Sequence, residues 1–442
     1  MSTEHSKRAA KFTADVEKTT WHDATFWSVR QKRDKMAHEL PEWEDLRELA
    51  SEIKMHTITH LADYLDVFSK NLESRGVKVH WAKDAQEFNE IVLGILNDHH
   101  VKKMVKSKSM LTEECEMNPY LEKHGIDVVE TDLGERIIQL LGQKPSHIVM
   151  PAIHLKREEV GKMFEEKGIS KEIGNYDPTY LTRCARHHLR NQFMEAGAGM
   201  TGCNFGVAET GDCVVCTNEG NADMTTSMPK LHIVAMGIEK LVPDYKSLAV
   251  FQRLLCRCGT GQPTTAFTSH FRQARPGAEM HVVLVDNGRS DILADKDHWQ
   301  TLKCMRCGAC MNTCPVYRRS GGYSYTYFIP GPVGVNLGML KNPQKYADNV
   351  SACTLCLSCD NVCPSKVGPG SQIYVWRQSL DKLGKANPIK KAMSSGMEYL
   401  FDRPSLYTTA LRFAPLANLI PECCTHFSNL NAWGVGHAMP EF

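Results

Sequence analysis

Cys304-Met-Arg-Cys307-Gly-Ala-Cys310-Met-Asn-Thr-Cys314-Pro315 recurs as Cys353-Thr-Leu-Cys356-Leu-Ser-Cys359-Asp-Asn-Val-Cys363-Pro364. The shared pattern C-x2-C-x2-C-x3-C-P lets three thiolates wrap one corner of an iron-sulfur cubane, while the fourth cysteine turns away toward a neighbouring cluster. Crossing over assigns Cys304, Cys307, Cys310 and Cys363 to one [4Fe-4S] cluster, and Cys353, Cys356, Cys359 and Cys314 to a second. Pro315 and Pro364 cannot continue a regular ladder and turn the chain away after each fourth cysteine. Zinc is a poorer reading, because its sites usually take two pairs of ligands, often with histidine. Disulfides between neighbours this close would be strained. One-electron transfer is the chemistry that this spacing implies.

The elements that must hold these cysteines lie in a chain of 442 residues, long enough for two or three domains with a sizeable core. Seventeen cysteines and a polar start, Met-Ser-Thr-Glu-His-Ser-Lys-Arg, lead to the expectation of a reducing, cytoplasmic setting. Basic and acidic residues balance at 52 to 51, which supplies no broad field for nucleic acid. The longest apolar candidate, Leu406 to Ile420, is short of a span and is broken by Arg412 and Pro415, so membrane association is expected to be peripheral at most.

Residues 1–76 read as an N-terminal helical segment, with Leu46, Leu49, Ile53, Leu61 and Leu65 at helical spacing. Residues 77–295 read as an α/β domain. Strand-like runs stand at Val77 to Trp81, Ile126 to Glu130, His147 to Pro151, Asn204 to Ala208, Cys213 to Thr217, Leu231 to Met236 and His281 to Asp286. Helical stretches intervene, one opening at the Asp84-to-Glu87 capping pattern and another at Asp177-Pro178, and this alternation predicts a largely parallel sheet. The domain is expected to fold on its own. From 296 to 380 the knuckles, a Gly/Pro/Tyr-rich linker and short helices replace the strands. The long interval between Cys314 and Cys353 favours an all-helical dicluster domain over a minimal hairpin ferredoxin. Residues 381–442 are expected to form a C-terminal helical tail.

The block Gly199-Met-Thr-Gly-Cys-Asn-Phe-Gly-Val-Ala-Glu-Thr-Gly211, with Thr217-Asn-Glu-Gly-Asn221 and Pro229 to Lys240, resembles the lactate-utilisation (LUD) domain. So do Lys106-Ser-Lys-Ser109, Thr112-Glu-Glu114 and Glu130-Thr-Asp-Leu-Gly-Glu135. A LUD domain followed by a dicluster ferredoxin domain is similar in architecture to the lactate-utilisation protein B family, over about residues 20 to 400. The resemblance implies a LUD fold similar to the isomerase and CoA-transferase superfamily. It also implies an iron-sulfur electron-transfer role in a complex oxidising L-lactate to pyruvate, with a CCG-type cysteine-rich subunit and a second LUD-domain subunit as partners. An iron-sulfur linker of the heterodisulfide-reductase type, or a LUD-domain small-molecule enzyme, are the alternatives.

Cys203, Cys213, Cys216, Cys256 and Cys258 depart from that pattern, where small or aliphatic residues are expected. A third metal site is one reading of them. Cys213 and Cys216 lie three apart on a strand and point to opposite faces, and Cys256 and Cys258 could share a face but make only half a site, so these cysteines are expected to serve as small hydrophobes. Glu209, Glu219 and Asn218 to Asn221 stand at predicted strand ends, where open α/β sheets bind ligands. Lys106, Lys108 and Lys240 would supply positive charge there, with Thr112 at a helix start. Glycine-rich turns are the competing explanation for these residues. His232 is expected to be a satisfied core histidine and His187-His188 a diverging helical pair. Cys258-Gly-Thr-Gly-Gln262 lacks the third glycine of a dinucleotide fingerprint. Catalytic residues are not assigned by the sequence.

Overall fold

The computed structural model describes residues 3–380, 382–384 and 388–413. Ten strands form two sheets: β1 Lys78–Ala82, β2 Lys103–Lys106, β3 Asp127–Glu130, β4 Ala198–Gly202, β5 Phe205–Val207, β6 Asp212–Thr217, β7 Leu231–Gly237, β8 Leu241–Val242, β9 Phe267–Phe271 and β10 Glu279–Val285. The larger sheet runs β1-β10-β7-β4-β2-β3, and every pairing in it is parallel. The smaller runs β8-β5-β6-β9, with antiparallel pairing on both sides of β6. Such a parallel sheet must be covered on both faces, and β7 shows it. Ile233 and Ala235 enter a core with Phe88, Val92, Met104 and Leu121. Val234 and Met236 enter another with Phe68, Leu72, Val282 and Leu284.

Local chemistry fixes the crossovers. Asp84 caps helix Ala85–Asp98 by accepting from the Glu87 amide at 2.9 Å, while the Glu87 carboxylate accepts from the Lys83 amide at 2.7 Å. Gly199 in β4 admits helix Asn221–Ser227 so closely that a Cβ would stand 1.8 Å from the Thr225 carbonyl oxygen. That requirement keeps β4 poor in the branched residues that advertise a strand. His147 to Pro151 departs from its strand reading and forms turns. The buried His147 Nδ1 accepts from the amides of Val149 and Met150 at 3.1 and 3.0 Å, which takes the place of a ladder. His232 lies on β7 as a satisfied core residue, bonded to Thr201 Oγ1 at 2.9 Å, and burial lowers its pKa to about 3.

The cysteine-rich region is helical, with short helices at Ala309–Thr313, Pro315–Ser320, Gly331–Lys341, Pro343–Ala352, Ser358–Val362 and Pro369–Ser379. The N-terminal helices Val16–His38 and Trp43–Thr59 lie against it. Arg33 Nη2 donates to the Val362 carbonyl at 3.2 Å and Arg47 Nε to the Cys363 carbonyl at 3.0 Å. One core joins Ala37, Trp43 and Leu46 to Phe205, Phe251 and Leu254 and to Met305, Ala309 and Val362. Residues 2–379 accordingly make one compact unit, and the α/β region shares its core with the cysteine-rich region. The tail, a separate unit, shows helices Pro388–Phe401 and Pro404–Phe413. Residues 414–420 of the apolar stretch lie outside the described residues. No helix among the described residues is long and apolar enough to cross a membrane.

A chain ending at residue 295 would uncover the side of Phe251 and Leu254 that meets Met305 and Val362. It should be aggregation-prone or lose a large part of its thermal stability relative to residues 1–380, contrary to the expectation of autonomy; a calorimetric midpoint equal to that of the longer chain would refute the shared core. His232 supplies a second test. Its native pKa of about 3 lies below the ordinary 6.5, so the unfolded chain binds more protons between those values. The stability this histidine contributes is complete above pH 6.5 and is lost as the pH falls toward 3. Urea midpoints should drop from neutral pH to about pH 5, and less steeply in His232→Leu.

Candidate iron-sulfur centres and the adjoining cavity

The two knuckles fold as two copies of one backbone. Arg306 and Gly308 stand at φ 62° and 80°, and their counterparts Leu355 and Leu357 at 57° and 56°. Left-handed residues at these places turn amides inward, a backbone nest suited to an anionic group. The Arg306 amide donates to Cys304 Sγ at 3.4 Å and the Leu355 amide to Cys353 Sγ at 3.4 Å. At Gly308 a Cβ would also meet His147 Cε1 at 3.0 Å.

Cys304, Cys307, Cys310 and Cys363 line one small chamber, closed by Ile148, Val333 and Val367. The fourth cysteine of the first knuckle is elsewhere. Burial pushes the Cys314 thiol up to about 11, with Cys353 and Cys356 adding to it, and Cys359 is raised by burial, then by Asp360 and by Cys310, Cys314 and Cys353. Each knuckle thus sends its last cysteine to the other's group. Among the described residues, the donors brought within 4.8 Å of one another are His99, Glu279 and His281, not these thiols. The eight are spread too widely for a single zinc ion, whose thiolates at about 2.3 Å would nearly touch, and an all-thiolate donor set in two groups is the kind that iron-sulfur clusters take. Arg47 on the Cys363 carbonyl and Arg377 on the Cys353 carbonyl bring cations to both groups.

A cavity of about 590 Å³ opens where the C-terminal ends of β2, β4 and β7 meet β6. This is within the ordinary range for small-molecule sites. Met305, Arg306 and Cys307 form part of its wall, so the cavity and the first cysteine chamber adjoin. Lys108, Glu219, Asn218, Asn221 and Lys240 line it as the sequence suggested. Lys106 does not reach it. Fully buried, its Nζ bonds Glu130 at 2.7 Å, Thr112 Oγ1 at 2.9 Å and Glu113 at 3.1 Å. Burial alone would lower its pKa, but the two carboxylates outweigh that and raise it. Thr112 is therefore a partner of Lys106, and Glu209 sits exposed at a turn outside the lining. Lys108 is held by Glu135 at 2.7 Å and by the Val149 carbonyl at 2.9 Å. Glu219 accepts from the Leu133 amide at 3.1 Å, and burial, then Asp132, pushes its pKa up to about 7.

The additional cysteines divide. Cys213 is wholly buried in the core while Cys216, on the opposite face of β6, lines the cavity. Cys256 and Cys258 do not share a face as the sequence suggested. They lie on helix Tyr245–Gly259, where two positions differ by about 200°. Cys256 lines the cavity and Cys258 is buried in the core that also holds Cys307. Cys203, between β4 and β5, borders the cavity but packs against the core that holds Cys213. Arg306 was overlooked as a site residue, although its place inside the first knuckle was the available signal.

A parallel α/β sheet whose strand ends open onto a cysteine-knuckle region defines a two-part iron-sulfur protein. Matching families divide it the same way: the LUD domain over residues 65–290 and the 4Fe-4S dicluster domain over residues 300–367. Lactate utilization protein B of Oceanobacillus iheyensis is 40% identical over 397 residues, covering 88% of this chain and 82% of that protein. The Bacillus cytotoxicus protein of the same name is 41% identical, covering 87% and 82%. The chain belongs to the lactate utilization protein B family, and its dicluster domain is an iron-sulfur domain. A DUF162 family protein from Deinococcus radiodurans superposes with a TM-score of 0.29 at 13% identity, covering 51% of this chain and 98% of that one.

Gly308→Ala places a side chain at a left-handed position and against His147. It should cost about 1–3 kcal/mol of stability and lower the iron retained per chain, read by denaturation and iron analysis of the same sample.

Proposed function

We propose that this chain is the iron-sulfur electron-transfer subunit of a complex that oxidises L-lactate to pyruvate. Two [4Fe-4S] clusters are held by Cys304, Cys307, Cys310 and Cys363, and by Cys353, Cys356, Cys359 and Cys314. The single observation that carries the reading is the sorting of the cysteines into two crossed groups within one domain. The clusters supply one-electron oxidation and reduction. The protein's own residues hold them by eight thiolates, aim the Arg306 and Leu355 amides at sulfur, and offset their negative charge through Arg47 and Arg377. Removing two electrons and two protons from lactate matches two such acceptors in number.

The first group lies against the cavity. In the second, Cys356 and Leu357 are exposed and offer a face to a partner. We assign the partners as a CCG-type cysteine-rich subunit and a second LUD-domain subunit, in the cytoplasm. The substrate step is placed outside the two clusters, because a 2-hydroxy acid gives up its electrons as a pair at a group touching the carbon. Glu219, a proton-exchanging carboxyl in the cavity, favours as second reading a small-molecule enzyme on a LUD fold of the isomerase and CoA-transferase type.

Two measurements test this. Cys363→Ser should damage the cluster of Cys304, Cys307 and Cys310 and spare that of Cys353, Cys356 and Cys359; paramagnetic resonance showing loss of the local cluster instead would overturn the crossed ligation. The isolated chain should accept electrons from dithionite yet fail to reduce a dye with L-lactate. Adding both partners should restore that reduction, and Cys310→Ser should abolish it. Robust lactate oxidation by the chain alone would promote the second reading.

A further inference from the structure

The end of the larger sheet away from the cavity carries a separate gathering of ligating side chains. Side chains alternate along β10, so Glu279, His281, Val283 and Val285 share one of its faces. Val283 and Val285 join the core with Phe88, Val92, Ile95 and Leu96 of helix Ala85–Asp98. Glu279 and His281, at the start of the strand, continue that face toward solvent, and His99, directly after the helix, meets them. His99 Nε2 stands 3.4 Å and His281 Nε2 2.6 Å from the same oxygen, Glu279 Oε1. The ligand atoms of the three residues all lie within 4.8 Å of one another.

We propose that His99, Glu279 and His281 form a zinc site that ties the end of helix Ala85–Asp98 to the start of β10. Two imidazoles and a carboxylate are a set that zinc takes with its fourth position left to water. Calcium and magnesium would require oxygens in place of the rings. The spacing fits as well. Ligands at about 2.0–2.2 Å around a tetrahedral ion stand about 3.3–3.5 Å apart. The separation of His99 from Glu279 already has that value, and His281 has to retreat from Glu279 by only about 0.7 Å.

The protons are arranged for a metal. His99 Nδ1 lies 2.8 Å from the Ile95 carbonyl, which can only accept, so Nδ1 carries the proton and the neutral ring turns the lone pair of Nε2 toward Glu279. A lone pair facing a carboxylate oxygen is repelled, and a cation between the two removes the repulsion. The buried His281 has its Nδ1 2.9 Å from His80 Nε2 on β1. With Nε2 on zinc, the Nδ1–H donates to His80, the outer bond that metal-bound histidines ordinarily make. The Lys78 ammonium rests on Glu279 Oε1 and holds the place of a cation there; its side chain is 56% exposed and can swing clear into solvent. An exposed ion pair of that kind is weak. Glu279 pairs in register with Leu231, the first residue of β7, whereas the cavity and its cysteine wall lie beyond the last, so zinc here leaves the iron ligands untouched.

Calorimetric titration of zinc chloride into the full chain, with its clusters reconstituted and magnesium in excess, tests the site. About one zinc per chain should bind with the iron content unchanged, and X-ray absorption at the zinc edge should show nitrogen and oxygen neighbours and no sulfur. His99→Ala/Glu279→Gln should lose the binding. His80→Leu, which leaves all three ligands and removes only the bond to His281, should weaken it roughly 10–100-fold. Lys78→Ala frees the carboxylate and should bind zinc more tightly than the wild-type chain, a gain that a damaged fold does not give. No uptake by the wild-type chain, equal uptake by His99→Ala/Glu279→Gln, or sulfur around the bound zinc would each overturn the proposal.

Discussion

The crossing of the fourth cysteines is the constraint from which the rest of the arrangement follows. Cys314 must leave its own knuckle for Cys353 and Cys356, and Cys363 must return to Cys304, Cys307 and Cys310. The chain between the knuckles therefore has to travel out and come back at a fixed separation. It does so as helices Gly331–Lys341 and Pro343–Ala352, whose Val333 and Val350 are buried where the chain turns back toward the thiols. Grouping thiolates also concentrates negative charge, and the fold answers with arginine on the backbone carbonyls of Cys363 and Cys353. Arg33 and Arg47 come from the N-terminal helices, so those helices belong to the cluster housing as much as to the α/β domain.

The same constraint explains why one core runs through both regions. Met305 and Cys307 lie within the first knuckle, yet they pack with Phe251, Leu254 and Cys258 from the α/β region. A knuckle anchored there cannot move without disturbing β5 and helix Tyr245–Gly259. The cavity at the strand ends inherits a rigid wall from the cysteine region, and Arg306, held at φ 62° by the knuckle, presents its guanidinium toward Glu239 at the end of β7. Ligand sites at the C-terminal ends of parallel strands are the rule in open α/β sheets. Here one side of such a site is built from a cluster loop.

Much of this was legible in the sequence because the signals were local. The knuckle spacing, the alternation of β7 and β10, the Asp84 cap and the composition change near residue 296 each involve neighbours in the chain. The parts that were not legible depend on distant partners. Glycine-rich β4 reads as a loop until Thr225 is seen pressed against Gly199. His147 to Pro151 has the apolar content of a strand, but its amides are satisfied by a side chain instead of a ladder. Lys106, Lys108 and Lys240 looked equivalent as anion ligands; only the fold shows that Glu130 and Glu113 consume the first and Glu135 the second.

The cysteines of the α/β region show the limit most clearly. In the sequence, strand geometry separates Cys213 from Cys216, whereas Cys256 and Cys258 could share a face and fall short only as half a site; the helix separates them as well. The strand argument holds, and the helix corrects the other. A strand that sends Cys213 into the core necessarily sends Cys216 to the other face, and a helix that buries Cys258 beside Cys307 turns Cys256 away from it. The divergence within each pair thus sorts the cysteines between core and cavity wall, with Cys203 joining Cys213 in the core while Cys216 and Cys256 border the cavity.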